Sequence, residues 1–368
     1  MKKKLLVITW VPIYKWDYIR YGFDKLSKKY SLIIFDLSCF LFKEFKVKEL
    51  YKKKDKIKCI EFHDLNEIIK AIKKTHVDLI INLTGISQKH PIYQKLLEKK
   101  VNIISFIDFK LSNYFYFPKN IILYLKFFLK IFLNFHKKNS NDFAIVAGDN
   151  LLNRLNSIGK NIIYSHSINY DLAIKKKYNK NGKKNRKIAC YIDSGFGFHP
   201  DFKLSRGINK KFNVNTFANK LNIFFKKLNL IGYDVYFLAY PKIPKKNQRI
   251  YKNCKIIYYK TLEYIKNSDL VITTSSSTIE YAIIFKKKIL KIFTKEIKSY
   301  PKNMDEYNGF KNFFSKNVIN LDLKYKNEEI KKKIILPNKK YLEYISKFVK
   351  HPKSNNTSFS KIIKKLIN

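Results

Sequence analysis

Short apolar runs alternate with amphipathic stretches along the chain, a pattern typical of a parallel sheet covered by helices on both faces. In the first half, the strand-like runs are residues 4–10, 31–37, 57–62, 77–83, 101–107, 142–147 and 161–165. The helical stretches between and after them are residues 18–29, 66–75, 91–99 and 150–157. This alternation predicts a first α/β domain over residues 1–174.

The alternation stops at residues 175–187, which are polar, basic and rich in turn-forming residues, so they are interpreted as an interdomain linker. It then restarts. The predicted strands are 188–193, 234–239, 255–259, 270–273 and 288–293, and the predicted helices are 215–228, 262–267, 278–285, 328–350 with a break at Pro337, and 358–367. The chain is therefore expected to hold a second α/β domain at 188–335, followed by C-terminal helices at 336–368.

Composition narrows the class of protein. The chain has 368 residues, of which 46% are apolar and 16% aromatic. This composition gives the chain ample apolar surface to bury and argues against intrinsic disorder.

No run reaches the roughly 18 charge-free apolar residues of a membrane span. The first apolar run is interpreted as a buried strand because no cleavage site follows it. The four cysteines share no short spacing, which favours reduced cysteines in a cytoplasmic protein.

The net charge is unusually high, with 76 Lys and Arg against 28 Asp and Glu, or +48. Such a charge is consistent with binding to nucleic acid or to an anionic membrane, and also with the compositional bias of an AT-rich genome. No helix-turn-helix, RNA-recognition or zinc-finger pattern is present, so we expect no nucleic-acid partner. A non-catalytic nucleic-acid-binding or membrane-binding protein stays open as an alternative.

The clearest local motif follows the predicted strand at 270–273. Five small hydroxyl residues lead into a helix, and small side chains there let a phosphate approach the backbone and the positive end of the helix. An ordinary helix N-cap is the alternative. Glu280 lies in the first helical turn, where a carboxylate can bind a sugar hydroxyl. The hydroxyl residues are Thr274, Ser275, Ser276, Ser277 and Thr278.

A second motif follows the first strand of the second domain, at residues 191–201. Gly195 permits a tight loop, and the same segment carries an imidazole and two carboxylates for acid–base chemistry. We take His199, Asp193 and Asp201 as the candidate catalytic residues, against the alternative of a purely structural loop. A third signal is Tyr240 before a proline at the end of the next strand, where it can contact a nucleotide or simply form a turn.

The hydroxyl-rich turn, together with the run at 285–290, resembles the donor-binding segment of bacterial GT-B glycosyltransferases of surface-polysaccharide biosynthesis. Lys287 matches the lysine of the family's run, whereas Lys286 and Lys288 replace its usual glycine and proline. The resemblance implies two Rossmann-like parallel-sheet domains that face each other across a cleft. It implies that a nucleotide sugar binds mainly to the C-terminal domain, at Ser194, Gly195, Tyr240, residues 274–278 and Glu280.

The expected function is transfer of a sugar from that nucleotide sugar to a glycan or lipid-linked acceptor, as in lipopolysaccharide or capsule assembly. No cofactor or metal is expected, because no DxD-type carboxylate motif is present and helix N-termini and lysines can neutralise the leaving phosphate. A sugar-nucleotide epimerase of the same fold is the alternative enzyme.

Residues 119–138 form the most distinctive basic segment. On a helix, its polar positions fall on one face and the rest is mostly aromatic and aliphatic, as in an in-plane membrane anchor. A core helix with snorkelling lysines is the alternative. We therefore expect a cytoplasmic protein, peripheral on the anionic inner face of the membrane. The polar positions are Lys119, Lys126, Lys130, Asn134 and Lys137.

Overall fold

The computed structural model describes residues 2–10, 13, 15–41, 57–84, 90–107, 142–149, 161–175, 186–196, 212–241, 243, 245–274, 276–298, 310, 313–314, 316–355 and 357–368. These residues divide into two compact units. The first unit holds the described residues up to Asp171 together with Lys350–Asn368. The second unit holds those within Leu172–Val349.

The described part of the first unit contains a seven-stranded parallel sheet in the order β3-β2-β1-β4-β5-β6-β7. Its strands are β1 Lys4–Thr9, β2 Ser31–Asp36, β3 Ile57–Glu61, β4 Leu79–Asn82, β5 Asn102–Ile107, β6 Asp142–Ala147 and β7 Asn161–Ser165. The helices are α1 Lys15–Arg20, α2 Phe23–Leu26, α3 Ser38–Leu41, α4 Leu65–Lys74, α5 Pro91–Leu97 and α6 Ile168–Lys175, which runs on into the second unit.

The described part of the second unit contains a six-stranded parallel sheet in the order β10-β9-β8-β11-β12-β13. Its strands are β8 Lys187–Ile192, β9 Tyr233–Leu238, β10 Lys255–Ile257, β11 Leu270–Thr273, β12 Lys288–Phe293 and β13 Val318–Asn320. Its helices are α7 Val214–Leu230, α8 Lys245–Gln248, α9 Thr261–Asn267, α10 Ile279–Ile284, α11 Lys295–Lys298, α12 Asn327–Lys333 and α13 Asn338–Tyr344, followed by a π-helix at Ile345–Val349.

These two sheets confirm the predicted pair of Rossmann-like parallel α/β units. The apolar runs form the central strands because both faces of a parallel sheet are covered; every residue of β4 and of β11 is buried. The long helix α7 packs its apolar face, including Phe217, Leu221 and Phe225, into the core of the second sheet. The predicted cleft between the units stays a prediction.

The C-terminal helix α14, Phe359–Ile367, belongs to the first unit. Its buried residues Phe359, Ile362 and Ile363 lie in the same apolar cluster as Phe23 of α2. The sequence pattern predicts one group of C-terminal helices at 336–368, but the helix at Asn338–Tyr344 lies in the second unit. Apolar burial rather than closeness in sequence decides which unit each helix joins.

Several predicted elements change at their edges. The helix expected at 18–29 is two short helices, because Gly22 adopts a left-handed conformation with φ of 68° between them. The three-residue strand β13 was missed. The helix expected at 150–157, the basic segment at 119–138 and residues 176–185 of the expected linker lie outside the described residues. Within the described chain, no helix is both long enough and apolar enough to span a bilayer.

Candidate functional site

The candidate site lies where the strand order of the second sheet reverses. Strands β9 and β10 lie to one side of β8, and β11, β12 and β13 lie to the other. In open α/β sheets, a ligand binds in the crevice outside the carboxyl ends of the strands at this switch point. The sequence motifs of the second unit all follow the strands that meet there.

The strand register brings the three motifs side by side. Ile192 at the end of β8 pairs with Leu238 of β9 and with Thr273 of β11. The next residues of each strand therefore leave the sheet as neighbours. Thr274 donates from Oγ1 to Oγ of Ser194 over 3.1 Å, which joins the β8 and β11 loops directly.

Asp193, the residue after β8, is buried, with 6% of its surface exposed. Within the described residues its carboxylate accepts three hydrogen bonds. Oδ1 accepts from the amide of Gly195 over 2.8 Å, and Oδ2 accepts from the amide of Tyr240 over 3.1 Å and from Nε2 of Gln248 over 3.3 Å. Burial raises the pKa of Asp193 to about 6, and these three hydrogen bonds oppose the rise.

The turn after Asp193 is fixed by the backbone conformation of Gly195 and by the packing of Phe196. Gly195 has a φ of 71°, which a residue with a side chain rarely adopts, so the amide-to-carboxylate turn needs glycine here. Phe196 follows and is 1% exposed. Its ring lies 5.6 Å from that of Phe212 and 5.8 Å from that of Phe217 of α7. The loop therefore begins on a buried carboxylate and ends on a buried aromatic cluster.

The hydroxyl-rich turn after β11 is tightly wound. The amide of Thr278 donates to Oγ of Ser276, and the amides of Ile279 and Glu280 donate to the carbonyls of Ser276 and Ser277, each over 3.2 Å. These three amides are therefore paired within the turn, because the first turn closes on itself. Ser277 is exposed and Ser276 and Thr278 are half-buried, so surface remains available at the turn.

The remaining predicted residues divide into two groups. Glu280, the second residue of α10, is 2% exposed, and Tyr240 is half-buried with its amide bound to Asp193. Their roles as nucleotide-sugar contacts stay predictions. His199, Asp201 and Ser275 lie outside the described residues, so their catalytic and binding roles also stay predictions.

Gln248, the last residue of α8, is fully buried against this site and was not predicted from the sequence. It lies in the polar run 245–249, where neither an apolar pattern nor a motif marks it. The only sequence signal was its place just after a strand whose end was already a candidate. Its importance follows from the contact with Asp193, which connects residues 55 positions apart.

An ion cluster stabilises a different part of the same edge. Nζ of Lys220 on α7 lies 2.8 Å from Oε1 of Glu296 and also contacts Oδ1 of Asp322, after β13. Burial opposes the charge of Lys220, but the hydrogen bonds to the two carboxylates raise its pKa. Among the described residues, no group of three or more His, Cys, Asp or Glu side chains is arranged to hold a metal ion.

Comparison with known proteins gives structural matches alone. No protein-family model and no curated protein matches the sequence. Arabidopsis thaliana UGT89C1 complexed with UDP matches at 8% identity and a TM-score of 0.54, covering all of both chains. The Staphylococcus aureus MnaA–UDP structure matches at 13% identity and a TM-score of 0.51, and the match covers 98% of this chain and 95% of that one. A Listeria monocytogenes structure named as a UDP-N-acetylglucosamine 2-epimerase matches at 11% identity and a TM-score of 0.50. This match covers 99% of this chain and 95% of that one.

These matches confirm the predicted fold class. The two parallel sheets, of seven and six strands in the described residues, match the fold of GT-B glycosyltransferases. The epimerase shares the same architecture. Since the identities lie far below 25%, the likeness establishes the fold and leaves the activity to be argued from the site.

Proposed function

We propose that this chain is a nucleotide-sugar-dependent glycosyltransferase whose nucleotide sugar binds at the carboxyl edge of the second sheet. The observation that carries the proposal is the 3.1 Å hydrogen bond between Thr274 and Ser194, because it joins the β8 and β11 loops at the switch point. Two of the structures that share the fold contain UDP, which supports a nucleotide as the ligand.

The described residues suggest how the ligand is held. Glycine at position 195 has no side chain to block a diphosphate, and the hydroxyls of Ser276, Ser277 and Thr278 can donate to its oxygens. The excess of lysines supplies positive charge that neutralises the leaving nucleotide. We propose that this chemistry needs no metal.

The proton acceptor is proposed to lie beyond position 196. Both oxygens of Asp193 already accept hydrogen bonds, so its carboxylate suits holding the loop better than taking a proton from an acceptor hydroxyl. His199 and Asp201 are then the candidates for the general base.

We propose a glycan or lipid-linked acceptor of surface-polysaccharide assembly, reached from the anionic inner face of the membrane. The proposal rests on the basic aromatic pattern of residues 119–138 and on the net charge of +48. Flotation with liposomes is expected to recover more protein with anionic lipid than without it at low salt. Equal recovery would remove the electrostatic part of this proposal.

Epimerisation of the nucleotide sugar is the second candidate, and the match to the Listeria monocytogenes epimerase favours it. The two activities differ in their products. A transferase releases free nucleotide and needs an acceptor, whereas an epimerase returns an isomer with the nucleotide still attached.

The test begins with thermal unfolding of the full chain in the presence of UDP-, GDP- and CMP-linked sugars. A specific ligand at 100 times its Kd stabilises the native state by about 2.7 kcal/mol. The stabilising compound is then incubated with and without a lipid-linked saccharide, and the products are identified by mass spectrometry. Acceptor-dependent release of nucleotide supports the transferase. No stabilisation by any of these compounds, with salt-dependent binding to nucleic acid, would contradict the proposal and favour the non-catalytic alternative.

A further inference from the structure

Gln248 occupies an unusual place for a glutamine. It ends the four-residue helix α8, and none of its surface is exposed. Its carbonyl accepts from the amide of Tyr251, whose ring stacks on Phe237 of β9 at 4.2 Å. The backbone of Gln248 is therefore held against the sheet, and the side chain extends from a stable position toward the switch point.

The side-chain amide closes a ring of hydrogen bonds. Nε2 donates to Oδ2 of Asp193 over 3.3 Å and to the carbonyl of Tyr240 over 3.2 Å. The amide of Tyr240 donates to the same Oδ2 over 3.1 Å. Three segments of the chain, after β8, after β9 and in α8, are thereby joined around one carboxylate oxygen.

Burial of this amide is costly. A buried amide loses its hydrogen bonds to water, and Oε1 of Gln248 has no hydrogen-bond partner among the described residues. An apolar side chain of similar volume would fill the same space without an unpaired acceptor. The cost is understandable if the two donated hydrogen bonds give the site a defined geometry.

We propose that Gln248 is a positioning residue of the nucleotide-sugar site: its amide holds the Asp193 carboxylate and the Tyr240 backbone together, and through Asp193 it sets the position of the Ser194–Gly195 turn. The inference rests on the proposed function for the ligand. Asp193 is a positioning residue in the same arrangement, because both oxygens of its carboxylate accept hydrogen bonds from the protein. Gln248 thereby helps to set the distance between Ser194 and Thr274, whose hydroxyls are hydrogen-bonded.

The charge state of Asp193 gives this role a measurable signature. The other titratable side chains that interact with Asp193 in the described residues are Tyr191 and Tyr251, and burial raises the pKa of both, so they stay neutral. The carboxylate thus changes charge near pH 6. A protonated carboxyl is a weaker hydrogen-bond acceptor than a carboxylate, so protonation of Asp193 weakens the hydrogen bonds that hold the loop.

The test measures the Kd for UDP by calorimetry between pH 5 and pH 8, using the full-length chain. Gln248→Met keeps the volume and removes both donated hydrogen bonds; Gln248→Glu adds a second carboxylate beside Asp193. Gln94→Met, on an exposed position of α5, is the matched control. Protonation of UDP itself is common to all four proteins, so the differences between them report on the protein.

In the wild type we expect binding to weaken as the pH falls through about 6. In Gln248→Met the Kd at pH 7 rises about tenfold. The midpoint of the pH dependence of the Kd moves up by about one pH unit, because the Asp193 carboxylate loses a hydrogen-bond donor and its pKa rises. In Gln248→Glu the midpoint moves further up, because two adjacent carboxylates resist ionising together. Gln94→Met behaves as the wild type. Coinciding Kd values and midpoints for all four proteins would overturn the positioning role.

Amide hydrogen exchange separates this inference from the proposed function. The amides of Gly195 and Tyr240 donate to Asp193, so their exchange is expected to accelerate about tenfold in Gln248→Met, with or without a ligand. If the wild type fails to bind UDP but exchange accelerates, the choice of nucleotide fails and the positioning role stands. If exchange at both amides is unchanged, the positioning role fails whatever the ligand.

Discussion

The two sheets reverse their strand order at equivalent points, between β1 and β4 in the first unit and between β8 and β11 in the second. At the first point, Asn82 ends β4 and its Oδ1 accepts from the amide and the hydroxyl of Thr84, a bond pattern that stays within one turn. At the second point, the carboxylate of Asp193 gathers donors from three segments of the chain. The described hydrogen bonds of Asn82 are thus local, whereas those of Asp193 connect distant segments of the chain.

That difference is the reason why we propose the carboxyl edge of the second sheet as the ligand site. A fold provides the place, but the polar groups at the strand ends provide the chemistry. The two hydrogen bonds of Asn82 join residues of a single turn. The contacts of Asp193 and Thr274 define the geometry of several loops at once, which is what a binding site requires.

The largest effect is expected from Phe196→Ala with Phe23→Ala as its counterpart in the first unit. Both rings are fully buried, at 1% and 0% exposure, so each truncation is expected to lower the free energy of unfolding by about 3–5 kcal/mol in urea denaturation. Only Phe196→Ala is expected to weaken nucleotide binding by the folded protein, because Phe196 anchors the Asp193 loop. Equal loss of affinity in both variants would remove the distinction between the two edges.

The next effect is the pH dependence of stability due to Asp193. Its pKa is about 6 in the folded protein and near 3.8 when unfolded, so the folded state holds the proton more tightly. Its contribution is therefore fully present below pH 3.8 and is lost as the pH rises through 6, by about 3 kcal/mol in all. Asp193→Asn should lack this loss, as urea denaturation of both proteins at pH 4 and pH 7 would reveal. An equal change in the free energy of unfolding between pH 4 and pH 7 in the two proteins would contradict a raised pKa of Asp193.

A smaller effect is expected from Lys220→Met, which breaks the ion cluster with Glu296 and Asp322 near the ends of β12 and β13. The pairs are partly buried, so the free energy of unfolding should fall by about 1–2 kcal/mol. Because this cluster lies away from the switch point, the Kd for the nucleotide should stay within twofold of the wild type. A large loss of affinity would show that the site extends along the whole edge.

The smallest effect is expected from Thr274→Val, with Thr84→Val as the matched change in the first unit. Thr274→Val removes the hydroxyl hydrogen bond to Ser194 and Thr84→Val removes the one to Asn82, and each change should cost about 0.5–1.5 kcal/mol of stability. Affinity for the nucleotide should fall only in Thr274→Val. A calorimetric Kd unchanged in that variant would argue against the hydroxyl-rich turn as a binding element.

Much of the fold follows from the sequence because buried parallel strands are continuous apolar runs. The strands at Asp142–Ala147, Asn161–Ser165, Leu270–Thr273 and Lys288–Phe293 have their predicted bounds. The strand Val318–Asn320 was missed because three residues are too few to show a pattern. The break at Gly22 was missed because nothing in an apolar pattern reveals a left-handed glycine within an otherwise helical stretch.

The site was only partly predictable, for a physical reason. Strand ends and small hydroxyl residues are visible in sequence, and they led to Ser194 and Thr274, which the structure brings together. The hydrogen bonds of Asp193 are not visible, because they depend on which strands are neighbours and on how far a side chain reaches. Gln248 was missed for that reason, since only its three-dimensional contacts distinguish it from the polar residues around it.

The central claim is that a nucleotide binds at the switch point of the second sheet, and amide hydrogen exchange with and without saturating UDP tests it most directly. We expect slower exchange in peptides covering residues 193–196 and 274–280, with no change in peptides covering 8–10 and 82–84. Protection confined to the first-unit peptides, or absent from both sets, would contradict the claim.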